Sequence, residues 1–308
     1  MQATPQQRMK IGVILDISED SLDGRTPTFR DLREMALLAE QLGFDSLWLA
    51  DHLIYRFPNQ PERAPWEALT MLSALAAVTT RIALGTLVLS TSFRPPAMLA
   101  KMTDAIDEIS EGRFILGVGA GWHQPEYEAF GYPFDHLASR FDEAMQIIVP
   151  LLREGHVDFH GQYYEVHNCV LRPRGPSPAG PRILVAGRRP RMLELTARYA
   201  DAWNTAWHSD AVAIKERIDE FAQVCATVGR DPASVEMTVG TDVRLQPRKE
   251  DGSPDRAISG TPEEIAERLR TFAGVGTQHL FIALDVVTPR SIEQLGSVVE
   301  MVRQYPSF

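Results

Sequence analysis

The sequence predicts an α/β fold in which eight parallel strands close into a (β/α)8 barrel, or TIM barrel. Apolar runs typical of buried strands alternate eight times with segments of helical period. Such alternation indicates a parallel sheet, and eight βα units in 308 residues fit a closed barrel better than an open sheet. No break in composition marks a boundary, so residues 1–308 are expected to form one domain.

The expected strands are short and apolar. In chain order they are Ile11–Asp16, Ser46–Asp51, Ile82–Ser90, Phe114–Val118, Arg182–Ala186, Asp201–Asn204, Val235–Leu245 and His279–Asp285. Between them, apolar residues recur at spacings of three and four, which is typical of helices with one buried face. One such stripe comprises Leu32, Met35, Ala36, Ala39 and Leu42, and another comprises Leu99, Met102, Ile106 and Ile109. A capping box at Thr261-Pro262-Glu263-Glu264 marks the start of a further helix.

Two insertions interrupt the alternation, one after the fourth strand and one after the seventh. Behind a helix that ends near Gly155, residues 157–166 have the pattern of a β-hairpin. The polar segment from Gln246 to Ile258 follows the seventh strand and contains Gly252 and Pro254. It is either a mobile lid over the barrel mouth or an inert surface loop.

Composition excludes several classes of protein. The formal net charge of −10 is spread along the chain, which disfavours nucleic acid and anionic membranes as partners. No apolar run approaches the ~20 residues needed to span a bilayer, and the polar segment from Met1 to Lys10 lacks a signal-peptide core. Only Cys169 and Cys225 are present, without framework spacing. A cytoplasmic protein is therefore expected.

The most informative segment runs from Gly112 to Phe134. An apolar strand ends in glycines at 117, 119 and 121, and Trp122 and Glu126 follow. A strand end without side chains lets a flat ligand or a phosphate approach the backbone closely. The alternative is a tight strand-to-helix turn that binds nothing. A dinucleotide fingerprint is rejected, because Trp122 stands where its third glycine would be.

In such barrels the active site lies at the carboxyl ends of the strands, and the residues expected there limit the chemistry. No lysine or cysteine ends a strand, so neither a Schiff base nor a thiolate nucleophile is available. The carboxylates at strand ends lack clustered histidines, and His156 and His160 flank a polar hairpin, so no metal is expected. An organic cofactor would supply the chemistry instead.

Three further segments could contact such a cofactor. Asp51 and His52 end the second strand, and because neighbouring residues face opposite ways, only one can point into the barrel. His52 could exchange a proton beside a polar ring, or be a structural histidine. Ala186-Gly187-Arg188-Arg189 forms a glycine turn at a helix start, which suits a phosphate; the alternative is two solvated surface arginines.

Taken together, these residues resemble the bacterial luciferase-like monooxygenase superfamily, and within it the branch that uses coenzyme F420, a deazaflavin. The motifs that carry the resemblance are Leu42–His52, Gly112–Phe134 and Arg198–Asn204. The resemblance implies a (β/α)8 barrel in which Asp51 and His52 contact the cofactor ring. A bulge with a non-proline cis peptide near Thr86-Leu87-Val88 would back the ring. The Gly119-Ala120-Gly121-Trp122 and Gly187-Arg188-Arg189 turns would take the phosphate and anionic tail.

Three functions follow from this resemblance. The first is an F420-dependent oxidoreductase that transfers a hydride to or from a small organic substrate, with His52 moving a proton. The second is an FMN-dependent monooxygenase served by a separate reductase, and the third is a flavin-binding protein without turnover. The substrate is expected beside Asp16, Trp207 and His208. The superfamily's usual assembly implies a homodimer.

Overall fold

The computed structural model describes residues 8–245 and 257–304, and it confirms the predicted barrel. Eight parallel strands pair side by side, and the ring closes where the last strand pairs with the first. These strands are β1 (Lys10–Leu15), β2 (Ser46–Leu49), β3 (Ala83–Thr86), β5 (Phe114–Gly119), β8 (Arg182–Ala186), β9 (Ala202–Thr205), β10 (Glu236–Arg244) and β12 (His279–Leu284). Two short strands, β4 (Leu89–Ser90) and β11 (Ile258–Ser259), pair with β5 and β10.

Helices surround the ring and bury their apolar faces against it. They are α1 (Phe29–Gln41), α2 (Ala68–Ala76), α3 (Pro96–Ile109), α4 (Gln124–Phe130), α5 (Leu137–Glu154), α6 (Pro190–Tyr199), α7 (Ala211–Thr227), α8 (Pro262–Gly274) and α9 (Pro289–Gln304). The capping box predicted at the start of α8 is present, with the Thr261 hydroxyl accepting from Glu264 N–H and the Glu264 carboxylate accepting from Thr261 N–H. No helix in these described ranges is long and apolar enough to cross a lipid bilayer.

One predicted apolar stripe is partly wrong. In α3, Leu99 and Ile106 are buried as expected, but Ile109 is 43% exposed. The inward face of this helix instead includes Asp107, whose carboxylate accepts from the backbone and hydroxyl of Ser177 at 3.1 and 3.0 Å. The connector that contains Ser177 covers the helix there, so tertiary packing displaces the buried face by about one residue position.

An antiparallel hairpin, β6 (His156–His160) and β7 (Glu165–Val170), lies between α5 and β8. It extends beyond the predicted residues 157–166 and runs back along α5, because its turn lies beside Glu143 in the first half of that helix. The Glu143 carboxylate on α5 accepts from the backbone N–H groups of Gln162, Tyr163 and Tyr164, which fixes the hairpin turn. Of the other predicted insertion, Gln246–Ile258, residues 246–256 lie outside the described residues.

Candidate functional site

The third strand of the barrel is broken by a bulge at the mouth. Gly85 pairs with Ile115 and Leu89 with Val118, so four steps along this strand oppose three along β5. The peptide between Leu87 and Val88 in this bulge is cis, as the resemblance implies. The Thr86 hydroxyl donates to Gly117 C=O at 2.7 Å and accepts from Gly117 N–H at 3.0 Å, replacing the interrupted ladder.

The glycines that end β5 allow this close packing. A Cβ at Gly117 would lie 1.8 Å from the Thr86 carbonyl oxygen, and one at Gly119 would lie 3.0 Å from a Val88 methyl group. Gly121 has a φ of +85°, and a Cβ there would lie 1.6 Å from the Tyr127 hydroxyl. Gly119 and Gly121 therefore have no side chain, Ala120 between them has only a methyl group, and Val88 lies against Gly119.

His52 lies at the mouth and is held by a buried carboxylate. Its Nδ1 is 3.0 and 3.2 Å from the two carboxylate oxygens of Glu126, which is 2% exposed. Glu126 also accepts from Leu53 N–H at 2.9 Å. Because a carboxylate only accepts, Nδ1 carries the hydrogen, and the other ring nitrogen, Nε2, is left for a ligand.

Aromatic rings flank His52. Tyr55 and Trp122 lie 4.7 and 5.6 Å from the His52 ring between centroids, and the Trp122 side chain is 61% exposed. Burial raises the pKa of the Tyr55 hydroxyl, with a further rise from nearby Asp16. Beneath them, buried His123 accepts from Arg56 N–H through Nε2, and burial lowers its pKa. Tyr55 and Trp122 thus present flat apolar surface beside one polar nitrogen.

The Asp51 side chain is buried and paired with an arginine. Both its oxygens accept from Arg94 at 2.9 Å, and Asp51 is 3% exposed. Burial raises the pKa of Asp51 against the opposing effect of these bonds. Burial by itself would lower the pKa of Arg94, but its bonds to Asp51 and Glu67 outweigh this and raise it. Asp51 therefore holds Arg94 at the exit of the third strand, while the neighbouring His52 contacts Glu126.

The Ala186–Arg189 turn lies next to the glycine turn. Val118 pairs with Val185, so the exits of β5 and β8 are neighbours. Gly187 C=O accepts from the Trp203 indole at 2.8 Å, and Arg189 is the residue before α6. Both Arg188 and Arg189 are exposed, and neither forms an ion pair with another residue in the described ranges. Two free guanidiniums at a helix start attract an anion.

A cavity of about 210 Å³ opens on the opposite side of the mouth. Its walls include Asp16, Tyr55, Arg63, Trp207 and Ala283. Trp207 is 51% exposed and follows a cis peptide with Ala206. His208 lies beside the cavity lining, where its Nε2 is 2.8 Å from the Thr205 hydroxyl and burial lowers its pKa. The volume is below the ~300–1,000 Å³ of typical drug-sized sites, so it suits a small molecule.

The structure thus brings His52, the Leu87–Val88 bulge, the Gly119–Trp122 turn and the Ala186–Arg189 turn to one edge of the barrel, and pairs Asp51 with Arg94. Sequence reasoning missed the pairing of Glu126 with His52 and that of Arg94 with Asp51. Glu126 lies in the Gly112–Phe134 segment, but its partner is 74 positions away. No local pattern connects the two.

The family comparison agrees with this architecture. The family model for luciferase-like monooxygenases matches residues 9–251. The chain belongs to the luciferase-like monooxygenase family. Among solved structures, the coenzyme F420-dependent tetrahydromethanopterin reductase of Methanopyrus kandleri superposes with a TM-score of 0.75 at 17% identity, covering 94% of this chain and 97% of that one. A likeness at this identity shows the shared fold.

Two curated relatives within this luciferase-like family differ in the reaction that they are named for. The chain is 36% identical over 215 residues to the pyrimidine monooxygenase RutA of Methylobacterium radiotolerans, covering 65% of this chain and 55% of the relative. It is 34% identical over 180 residues to an F420-dependent glucose-6-phosphate dehydrogenase of Amycolatopsis mediterranei, covering 56% of this chain and 52% of the relative. Each match spans little more than half of the relative's length.

Proposed function

We propose that the chain is an F420-dependent oxidoreductase that transfers a hydride between the deazaflavin and a small organic substrate. The observation that carries this proposal is the His52–Glu126 pair at the barrel mouth. It presents one imidazole nitrogen of fixed orientation beside the Gly119–Trp122 turn. The F420-dependent relative from Amycolatopsis supports the choice of cofactor.

The residues at the mouth fit a flat, anionic cofactor. Gly119 lies against Val88 with no side chain between them, so a planar ring would pack against the backbone and Val88 at the bulge. Trp122 offers exposed aromatic surface at the edge of the same turn. Arg188 and Arg189 would hold the phosphate and the acidic tail. When bound, coenzyme F420 supplies a two-electron hydride donor or acceptor.

Residues of the chain itself would position the reacting groups and transfer protons. His52 would hold or move a proton at Nε2, because Glu126 occupies Nδ1 and fixes the ring. Asp51 would act as a positioning residue, since both of its oxygens accept from Arg94. The raised pKa of Tyr55 keeps its hydroxyl protonated at neutral pH. We place the substrate in the cavity beside Asp16 and Trp207.

An FMN-dependent monooxygenase that works with a separate reductase is the second candidate. The specific observation in its favour is the 36% identity to a pyrimidine monooxygenase. The same Gly119–Trp122 turn and the two arginines would accept the ring and phosphate of FMN. A flavin-binding protein without turnover is the third candidate, and it is distinguished from the first two by the absence of any reaction.

Parallel titrations of the apoprotein with F420 and FMN, followed by tryptophan quenching, test the proposal. We expect F420 to bind at least about tenfold more tightly than FMN, a difference of ~1.4 kcal/mol. The opposite preference would overturn the F420 proposal and favour the monooxygenase. Binding of F420 without turnover of alcohols, sugar phosphates or activated alkenes would favour the third candidate. Homodimeric assembly, cytoplasmic location, and the absence of nucleic-acid and membrane partners stay predictions.

A further inference from the structure

The solvent face of the β6–β7 hairpin carries four side chains of types that can bind a metal ion. His160 pairs with Glu165 across the strands, while Asp158 opposes His167 and Asn168 at a bulge. Asn168 adopts a φ of +44°, which absorbs the extra residue and keeps His167 on the same face as Asp158. Asp158, His160, Glu165 and His167 therefore form two adjacent cross-strand rungs, the "hairpin cluster".

The distances within the hairpin cluster suit one ion. The ligand atoms of Asp158, His160 and His167 all lie within 4.8 Å of one another. Two ligands of a zinc ion with bonds of ~2.0–2.2 Å lie at most ~4 Å apart. Small side-chain rotations therefore suffice to close the site, since these side chains are about half exposed or more.

Glu165 lies close to both histidines and can orient their rings through hydrogen bonds. Its carboxylate lies 2.9 Å from His160 Nδ1 and 3.4 Å from His167 Nε2, while Asp158 lies 3.1 Å from His160 Nε2. A carboxylate on one imidazole nitrogen orients the ring and makes the other nitrogen a better ligand. Among the described residues, no lysine or arginine forms an ion pair with either carboxylate of the cluster. The carboxylates pair with the two imidazoles instead, so a cation would compete with imidazole protons and not with a lysine or arginine side chain.

The hairpin is held in place by packing on its inner face and by hydrogen bonds at its turn. Its inward residues Val157, Phe159, Val166 and Cys169 pack on the hydrophobic core, and Glu143 fixes its turn. The alternative pair considered from sequence, His156 and His160, cannot share an ion. Four residues along one strand span ~13 Å, whereas His167 reaches His160 from the neighbouring strand, with ring centroids 4.9 Å apart.

We propose that the hairpin cluster binds one Zn²⁺ ion through Asp158, His160 and His167, with water in the fourth position and Glu165 orienting the rings. Imidazole nitrogen with carboxylate oxygen is a ligand set that favours Zn²⁺ over Mg²⁺. Among the described residues, the hydrogen bonds, ion pairs and ring contacts of these four side chains involve only the hairpin, and none involves a residue of the proposed redox site. The ion would join β6 to β7 and stabilise the hairpin.

Calorimetric titration of the full chain with Zn²⁺, with Mg²⁺ as a comparison, tests this proposal. We expect one Zn²⁺ per chain, no measurable Mg²⁺ binding, and a higher Tm with Zn²⁺. The variant His160→Asn with His167→Asn should weaken Zn²⁺ binding at least tenfold and abolish the Tm increase. His156→Asn, on the same exposed face, is the matched control and should behave as wild type.

Two outcomes would overturn the proposal: the double variant binds Zn²⁺ as tightly as wild type, or wild type binds no Zn²⁺. An unchanged Tm of the metal-free double variant shows that its fold is intact. Equal losses in His156→Asn and in the double variant would also contradict it, because they would indicate unspecific binding to exposed imidazoles. Glu165→Gln should weaken binding less than the double variant does.

Discussion

The Nδ1 atom of His52 lies 3.0 Å from a carboxylate oxygen of Glu126, although 74 positions separate the two residues in the chain. His52 follows β2 and Glu126 lies in α4 beyond β5, so the pair links the exits of two strands that are not neighbours in the ring. Glu126 also accepts from Leu53 N–H, which anchors the segment that carries His52.

We expect Glu126→Gln to lower turnover about tenfold while cofactor affinity changes little, because losing an orienting carboxylate typically costs 10–100-fold. The glutamine amide is uncharged and has one accepting oxygen in place of two, so it holds the Nδ1–H of His52 more weakly than the carboxylate does. His52→Ala should leave the fold intact and lower hydride transfer at least about tenfold. Steady-state kinetics beside cofactor titration and Tm measure these effects. Wild-type turnover in His52→Ala would remove His52 from the mechanism.

Replacing both Arg188 and Arg189 by alanine should weaken cofactor binding about tenfold, since each exposed ion pair contributes at most ~1 kcal/mol. The loss should shrink as salt concentration rises, because salt screens exposed charges. Fluorescence titrations at several ionic strengths measure it. Arg198→Ala, at the other end of α6, is the matched control and should bind normally. Equal affinity of the double variant and wild type at every salt concentration would refute the phosphate assignment.

Asp51→Asn should destabilise the fold by about 3 kcal/mol, because it leaves the buried Arg94 guanidinium without its charged partner. Glu67 keeps one bond to Arg94 and limits the loss. Chemical denaturation measures the free energy of unfolding. As a control, Glu62→Gln removes an exposed ion pair with Arg56 and should cost under about 1 kcal/mol. A similar loss of unfolding free energy in both variants would show that the ion pair between Asp51 and Arg94 does not stabilise the fold.

Buried His279 should make stability depend on pH. Burial lowers its pKa to about 3, even though Glu236 opposes the shift. The Ser46 hydroxyl accepts from the Trp48 indole, and its oxygen lies 2.7 Å from His279 Nε2, where it can donate to a neutral ring. An unfolded histidine has a pKa of ~6.5, so between these values the unfolded chain binds one more proton. The free energy of unfolding therefore falls as pH falls below ~6.5.

His279→Gln should remove this dependence. Between pH 7 and 5 its free energy of unfolding should fall by about 2 kcal/mol less than that of wild type, since each pH unit is worth ~1.4 kcal/mol. Urea denaturation at each pH measures the free energy of unfolding of both proteins. Subtracting one from the other cancels the contributions of the carboxylates that both proteins share. His156→Gln, at an exposed position, should keep the wild-type dependence. Parallel curves for His279→Gln and wild type would contradict the assignment.

Much of the fold could be predicted because its signals are local. The apolar run and glycines at Phe114–Gly121, the capping box at Thr261 and the hairpin near Gly161 each reflect the conformational preferences of a few adjacent residues. The buried face of α3 was displaced from its predicted position, because the connector around Ser177 covers Asp107 and satisfies its carboxylate. Periodicity does not report which segment packs on a helix.

By itself, the sequence determined the barrel, the family resemblance and the residues gathered at the mouth, since short-range pattern sets where strands start and end. Only the tertiary structure decided which of those residues act together. Packing at the barrel mouth brings Glu126 to His52 and Arg94 to Asp51. Pairing of β6 with β7 places His167, not His156, beside His160. These pairings depend on strand register and on contacts between segments that are distant in the chain. A sequence pattern reports only the preferences of neighbouring residues, so it does not predict them.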